Sequence, residues 1–195
     1  MDAPGTQFDA IQWINCYLHQ LKSQTNLEFE QMKPVLYFSL MWNMFEDKAC
    51  GRHARRTSIV RSVRRANQTG RLRRDRYLEL LRFFQERPVA TGQDLDSYLD
   101  TLFAERPDAD AQKAIQTVLL GESDDLEGTV RALLLFAHRI RCNLFHGNKA
   151  VADLPRQTDL FVEVNWLLAT YLEDLLGLPM RNAEQHLHRE ADRRR

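Results

Sequence analysis

The chain has 195 residues, and its 27 basic and 27 acidic side chains give a formal net charge of zero. This length suits one domain, or one domain with a tail, and needs no disulfide or metal to fold. Three widely spaced cysteines argue against a disulfide framework, and no run of about 18 apolar residues could span a membrane. We therefore expect a soluble, cytoplasmic protein.

Good helix formers dominate the composition, while glycine and proline are scarce, which predicts an all-α fold. Residues 8–21 carry apolar side chains at helical spacing and predict a first helix. Thr25 with Glu28 is a capping-box pattern that predicts the start of the next helix. Pro34 either kinks that helix or opens a fresh one. Residues 35–46 are apolar on almost every side and predict a centrally buried helix.

Ten arginines lie between residues 52 and 76, and Asp75 is the one acidic residue among them. A basic run of this density can contact phosphate, although such runs are usually solvated helix faces. Three of these arginines, at helical spacing, are the candidate RNA-binding residues: Arg61, Arg64 and Arg65. A weaker alternative is a DNA-binding helical protein that uses the same stretch.

The rest of the chain predicts further helices. They are expected over residues 72–87 with Pro88 ending the helix, 94–103, 108–120, from Ser123 or Asp124 to His146, and from Pro155 to Gly177. Residues 148–153 read as a loop. Aspartates at residues 94 and 108 are the expected N-caps of the two short helices. Residues 1–180 are expected to form a single domain and residues 181–195 a polar tail.

One segment combines a buried helix with polar chemistry. Residues 130–140 are strongly apolar and have few β-branched residues or helix breakers, which predicts a buried helix. Polar side chains follow at once at its C-terminal end: Arg141, Asn143, His146 and Lys149.

A second arc of the same helix mixes apolar and polar side chains: Leu134, His138, Arg141, Cys142 and Phe145. Such a face is poorly suited to open solvent. It is therefore expected at a subunit interface or beneath a neighbouring helix. A symmetric dimer would bring two copies of Arg141 and His146 close to one cleft.

The end of this helix and the residues after it form the motif Arg141-Cys142-Asn143-Leu144-Phe145-His146-Gly147-Asn148-Lys149. This motif resembles the signature of HEPN domains, in the form found in the Apea-like or RNase-type subgroup. The segment Trp42-Asn43-Met44-Phe45-Glu46 is similar to a second segment of that subgroup. The resemblance implies an HEPN-like helical bundle, a homodimer and metal-independent RNA endonuclease activity, with the arginine-rich stretch as an inserted helical segment. It also implies a toxin or phage-defence effector, restrained by an antitoxin or another regulatory partner. Cys142 departs from the family pattern, which usually has a polar residue there.

The chemistry of these residue types suits RNA cleavage without a metal or other cofactor. His146 can exchange protons near neutral pH, and Arg141 can pair with phosphate oxygens through a permanently charged, planar group. Asn143 could bind the phosphate or orient His146, and Glu46 could raise the pKa of His146. Lys149 completes the motif as a further RNA contact. The expected product carries a 2′,3′-cyclic phosphate and leaves a 5′-hydroxyl.

Three other interpretations stay open. Arg141, Asn143 and His146 could simply satisfy carbonyls at a helix C-terminus. His138, Cys142 and His146 could bind zinc, but their spacing on a straight helix spreads them over about 12 Å, too far for one ion. The chain could also be a catalytically inactive HEPN-like helical module that binds RNA or a partner protein, which Cys142 favours.

Overall fold

The computed structural model describes residues 8–146 and 150–178, and in these ranges the chain consists of helices without a strand. The all-α prediction is confirmed, and no helix in the described ranges is long and apolar enough to cross a membrane. The predicted tail, residues 181–195, lies outside them. The α-helices are α1 (Ala10–Gln20), α2 (Phe29–Cys50), α3 (Arg56–Gln68), α4 (Arg74–Ala90), α5 (Leu95–Phe103), α6 (Ala109–Leu119), α7 (Leu126–Phe145) and α8 (Thr158–Leu176), with a 3₁₀ segment (Val151–Gln157) before α8.

The helices α2 and α8 form the most extensive helix pair of the described residues. Aromatic side chains join them: the rings of Phe38 and Phe161 are 5.5 Å apart, and those of Phe45 and Tyr171 are 5.8 Å apart. The earlier residue of α2 contacts the earlier residue of α8, and the later residue contacts the later one, so the two helices run parallel. All four rings are fully buried, and such residues contribute the largest share of core stability.

The helix α7 passes through the middle of the bundle. It packs against α3, α4, α5, α6 and α8, and it is buried on nearly every side. Its N-cap is Asp125, whose carboxylate accepts a 2.7 Å hydrogen bond from the Gly128 amide, rather than Ser123 or Asp124. This burial reflects a sequence that is apolar around most of the helix circumference.

The arginine-rich stretch is part of this bundle. In α3, Ile59, Val63 and Ala66 are buried against the core, while the arginines between them point outward. The side chain of Asn67 donates a 3.0 Å hydrogen bond to Glu127, so the end of α3 meets the start of α7. The two helices therefore run antiparallel, and the stretch cannot be removed without opening the core.

Proline positions account for most of the differences from the predicted helix boundaries. Pro34 neither opens nor splits a helix, because α2 runs through it from Phe29 with Glu28 at the N-cap and no side-chain cap. Pro88 lies inside the last turn of α4, and Pro155 lies in the 3₁₀ segment rather than at the start of α8. A proline removes a single backbone donor, and core contacts on either side can outweigh that loss.

The first helix turns part of its apolar stripe outward. Ile11, Ile14 and Leu18 pack on the core, whereas Trp13 and Tyr17 are exposed and stack on one another with ring centroids 5.9 Å apart. Trp13 is therefore not a core residue, although it lies in the apolar stripe that predicts this helix. The broad apolar stripe of this helix did not specify which of its sides would meet the core.

A buried polar cluster ties α4 to the end of α8. The Arg76 guanidinium pairs with both Glu173 and Asp174, and the Tyr77 hydroxyl donates a 2.9 Å hydrogen bond to Asp174. Asp174 is buried, so its charge depends on these two partners.

We expect Asp174→Ala to lower the free energy of unfolding by about 3 kcal/mol, because it leaves the buried Tyr77 hydroxyl without its acceptor and the partly buried Arg76 guanidinium with Glu173 alone. Urea denaturation would measure the change. Asp75→Ala is the control, because Asp75 is exposed and pairs with Arg73 at the surface. Equal losses in the two variants would contradict a specific role for the cluster.

Candidate functional site

The last turn of α7 is where this helix emerges from the core. Cys142 and Asn143 are still buried, Arg141 is half-buried, and Phe145 and His146 are exposed. His146 is the C-cap residue, and its amide donates a 3.1 Å hydrogen bond to the Cys142 carbonyl. A cation and an imidazole thus lie at the open end of a buried helix. Lys149 falls outside the described residues.

The Arg141 side chain has no anionic partner within the described ranges. Its guanidinium carbon lies 5.4 Å from the centre of the Phe145 ring, a cation–π arrangement. The Nε atom is buried and has no hydrogen-bond partner among the described residues. A guanidinium held in this way can still offer its terminal N–H groups to an anion such as phosphate.

Asn143 points away from Arg141, contrary to the role predicted for it. Its amide donates a 2.9 Å hydrogen bond to the Leu102 carbonyl at the end of α5, and Arg139 Nε donates to the same oxygen at 2.8 Å. Residues 141 and 143 differ by about 200° around a helix, which accounts for the separation. Asn143 therefore satisfies a helix-terminal carbonyl and does not orient His146.

Glu46 also has a different neighbour from the one predicted. Its carboxylate accepts a 3.2 Å hydrogen bond from the Ala54 amide, and its charge acts on His138. His138 precedes His146 by eight residues, or about 12 Å along the helix axis. Within one chain, Glu46 therefore does not serve as the carboxylate partner of His146. Asn43, another polar residue of the segment 42–46, is exposed.

His138 is the polar residue that the sequence interpretation undervalued. Its ring lies 5.8 Å from the Trp42 ring, its Nε2 lies 3.8 Å from Cys142 Sγ, and it hydrogen-bonds to the backbone of Ala54. Burial lowers the pKa of His138, and Arg141 adds to the effect, against the opposing hydrogen bond to Ala54. Its four-residue spacing from Cys142 was the available signal, and from the sequence that spacing suggested only a zinc site. The described residues contain no cluster of three or more potential metal ligands.

Two of the predicted RNA-binding arginines line a groove. Arg61 and Arg64 border a space of about 500 Å³ between α3, α6 and α7, together with Arg56 and Arg131. Arg56 is partly neutralised by ion pairs with acidic residues of the α6 N-terminus. Arg65 is exposed but does not line this groove. The structure thus groups two of the three predicted arginines and adds Arg131.

A second cavity lies beside the C-terminal part of α7. It has a volume of about 380 Å³ and is bordered by α4, α5, α7 and the 3₁₀ segment. Asn143 and Ile140 form part of its wall, and Arg87, Tyr98 and Arg156 contribute polar groups. Asn143 therefore lines this cavity, whereas Arg141 does not.

No known protein family, curated protein or solved structure matches this chain. The resemblance to HEPN domains therefore rests on the residues quoted for it, residues 141–149 and 42–46. Of these, Arg141 and His146 both lie near the C-terminal end of α7, whereas the side chains of Asn143 and Glu46 form hydrogen bonds elsewhere.

We expect the pH dependence of stability to change in His138→Gln. The folded-state pKa of His138 lies below its ordinary value near 6.5, so its contribution to stability is complete above pH 6.5. That contribution is lost as the pH falls through the folded-state pKa, with a slope of at most about 1.4 kcal/mol per pH unit.

Urea denaturation between pH 5 and 8 would show a shallower loss of stability on the acid side in this variant than in the wild-type protein. His53→Gln, at an exposed residue, serves as the control. An unchanged slope in His138→Gln would show that His138 does not titrate differently in the folded and unfolded states.

Proposed function

We propose that this chain is a metal-independent RNA endonuclease of the HEPN type. The observation that carries the proposal is that half-buried Arg141 and exposed His146 both lie at the C-terminal end of α7, where this otherwise buried helix leaves the core. Arg141, with no anionic partner in the described ranges, suits a phosphate, and an exposed imidazole suits proton transfer near neutral pH.

The reaction follows from these two groups. His146 removes the proton of a ribose 2′-hydroxyl, and the 2′-oxygen attacks the adjacent phosphorus. Arg141 stabilises the negative charge on the phosphate oxygens during the attack. The bond from phosphorus to the 5′-oxygen breaks, and that oxygen takes a proton from a second acid. In a homodimer, His146 of the second copy is the group that supplies this proton. The products carry a 2′,3′-cyclic phosphate and a 5′-hydroxyl.

The groove between α3, α6 and α7 supports an RNA path towards this site. Arg61, Arg64 and Arg131 present positive charge along it, and backbone phosphates are the partners that such charge favours. Arg131 precedes Arg141 by ten residues, about 15 Å along the axis of α7. An RNA strand a few nucleotides long spans that distance.

A ribonuclease that needs no cofactor would cleave the RNA of its own cell unless its activity were controlled. We therefore include in the proposal the role of a toxin or phage-defence effector. An antitoxin or another regulatory protein would inhibit its ribonuclease activity until an activating signal releases it.

We expect the wild-type protein to cut single-stranded RNA in the presence of EDTA. His146→Ala should slow cleavage by about 100-fold or more, the usual contribution of general acid–base catalysis. Arg141→Ala should cause a loss of similar size, because the developing phosphate charge loses its cation. End-labelled RNA on a denaturing gel would measure the rates.

His53→Ala is the control for this experiment, because His53 is an exposed histidine outside the last turn of α7. It should cut RNA at the wild-type rate. Wild-type protein and His146→Ala that cut equally fast, or a requirement for a divalent metal, would contradict the proposed chemistry.

We expect the double variant Arg61→Ala, Arg64→Ala to bind RNA more weakly and with a smaller salt dependence. Loss of two phosphate contacts should reduce the slope of log affinity against log salt by about 1.4 for a single strand. Fluorescence anisotropy at several salt concentrations would measure it. Arg82→Ala, on the exposed side of α4, should leave the slope unchanged, and an equal change there would remove the groove from the RNA path.

One observation favours the second candidate function, a catalytically inactive helical module that binds RNA or a partner protein. Two polar positions of the motif are engaged elsewhere, since Asn143 bonds to Leu102 and Cys142 packs against His138. RNA binding by the wild-type protein, without cleavage of any of several unrelated substrates, would select this candidate.

A further inference from the structure

The outer face of α2 carries a continuous apolar stripe. Its inner face is buried in the core, but four large apolar side chains on three successive turns of the other face are 45–66% exposed: Leu36, Tyr37, Leu40 and Met44. Single exposed apolar residues are common, whereas a contiguous patch marks an interaction surface. The spacing of three and four residues is that of a helix which packs against another helix.

An ion pair of two charged residues lies at each end of the stripe. Glu30 and Lys33 form an ion pair at its N-terminal end, and Asp47 and Lys48 form one at its C-terminal end. Lys33 and Asp47 are each seven residues from Leu40, and they lie on the same side of the helix as Leu40 at about 100° per residue. The stripe is thus nearly symmetric in position about Leu40 and opposite in charge at its two ends.

These features make the stripe complementary to itself in one orientation. When two copies of α2 run antiparallel about a two-fold axis at Leu40, Leu40 faces Leu40 and Leu36 lies level with Met44 of the other copy. Lys33 then lies level with Asp47 of the other copy, and Glu30 lies close to the level of Lys48. A parallel pairing would instead place Lys33 against Lys33 and Asp47 against Asp47. Opposite charges at such positions select the partner and its direction.

We propose that the protein forms a two-fold homodimer through antiparallel pairing of α2, with Leu40 at the axis. The dimer expected from the mixed arc of α7 would need that arc to be free, yet Leu134 and Cys142 are buried within the chain. The α2 stripe supplies a different surface. This inference rests on α2 alone, so an absence of RNA cleavage would leave it standing. A monomeric protein would overturn it and would also remove the second His146 from the proposed cleavage reaction.

Sedimentation velocity of the full chain tests the surface. The wild-type protein should be dimeric, and Leu40→Glu should be monomeric at the same concentration. Leu78→Glu is the matched control: it also replaces an exposed leucine, but on α4, and should stay dimeric. A monomeric wild-type protein, or a dimer that survives Leu40→Glu, would overturn the proposal.

Exchange of the end charges tests the orientation. Lys33→Asp and Asp47→Lys should each weaken the dimer on the order of tenfold, because each creates two like-charge pairs across the axis. The double variant should recover the wild-type affinity, since it restores opposite charges. Failure of the double variant to recover, with both single variants folded by circular dichroism, would overturn the antiparallel pairing.

Disulfide trapping tests the axis itself. In a Cys16→Ser background, Leu40→Cys should form an intermolecular disulfide on mild oxidation, because the two copies of residue 40 face each other. Lys33→Cys should not, since its two copies are about 20 Å apart in the antiparallel pair, far beyond disulfide reach. Trapping of Lys33→Cys as efficiently as Leu40→Cys would indicate a parallel pair and overturn the proposal.

Discussion

Burial of α7 is the constraint on which the arrangement of the candidate site depends. The helix has neighbours on nearly every side, so its polar residues within the bundle are taken up by structural contacts. Arg139 bonds to the carbonyl at the end of α5, and His138 bonds to the backbone of Ala54. At the last turn the neighbours end, and Arg141 and His146 remain available to a ligand. The position of the helix end therefore decides which polar groups can do chemistry.

The helical fold could be predicted from the sequence because its signals are local. Asp94 and Asp108 cap α5 and α6 through bonds to amides three residues away, and Gly51 and Gly177 end α2 and α8 in the left-handed conformation. The side of α1 that faces the core was not predictable. Trp13 could not be placed from the sequence because the choice depends on packing against distant helices.

For the candidate site too, local features could be predicted from the sequence, whereas long-range contacts could not. That Arg141 and His146 follow a buried helix is visible in the sequence, and the structure keeps them at its open end. The partners of Asn143 and Glu46 are not visible there, because Asn143 bonds to a carbonyl 41 residues earlier and Glu46 acts on a helix far along the chain. Such long-range partners turn two predicted catalytic residues into structural ones. The dimer surface that we propose likewise lies on the outer face of α2, because the chain itself covers part of the α7 arc.

The proposed chemistry is tested most directly by removing one ribose 2′-hydroxyl from the RNA substrate. An RNA cut by the wild-type protein would be compared with the same RNA carrying a single 2′-deoxynucleotide on the 5′ side of the cut bond. The proposed reaction needs that 2′-hydroxyl as its nucleophile, so the deoxy-substituted bond should stay intact while other sites are cut. Cleavage of the substituted bond at the original rate would show that water or another group attacks the phosphorus, and would contradict the roles proposed for Arg141 and His146.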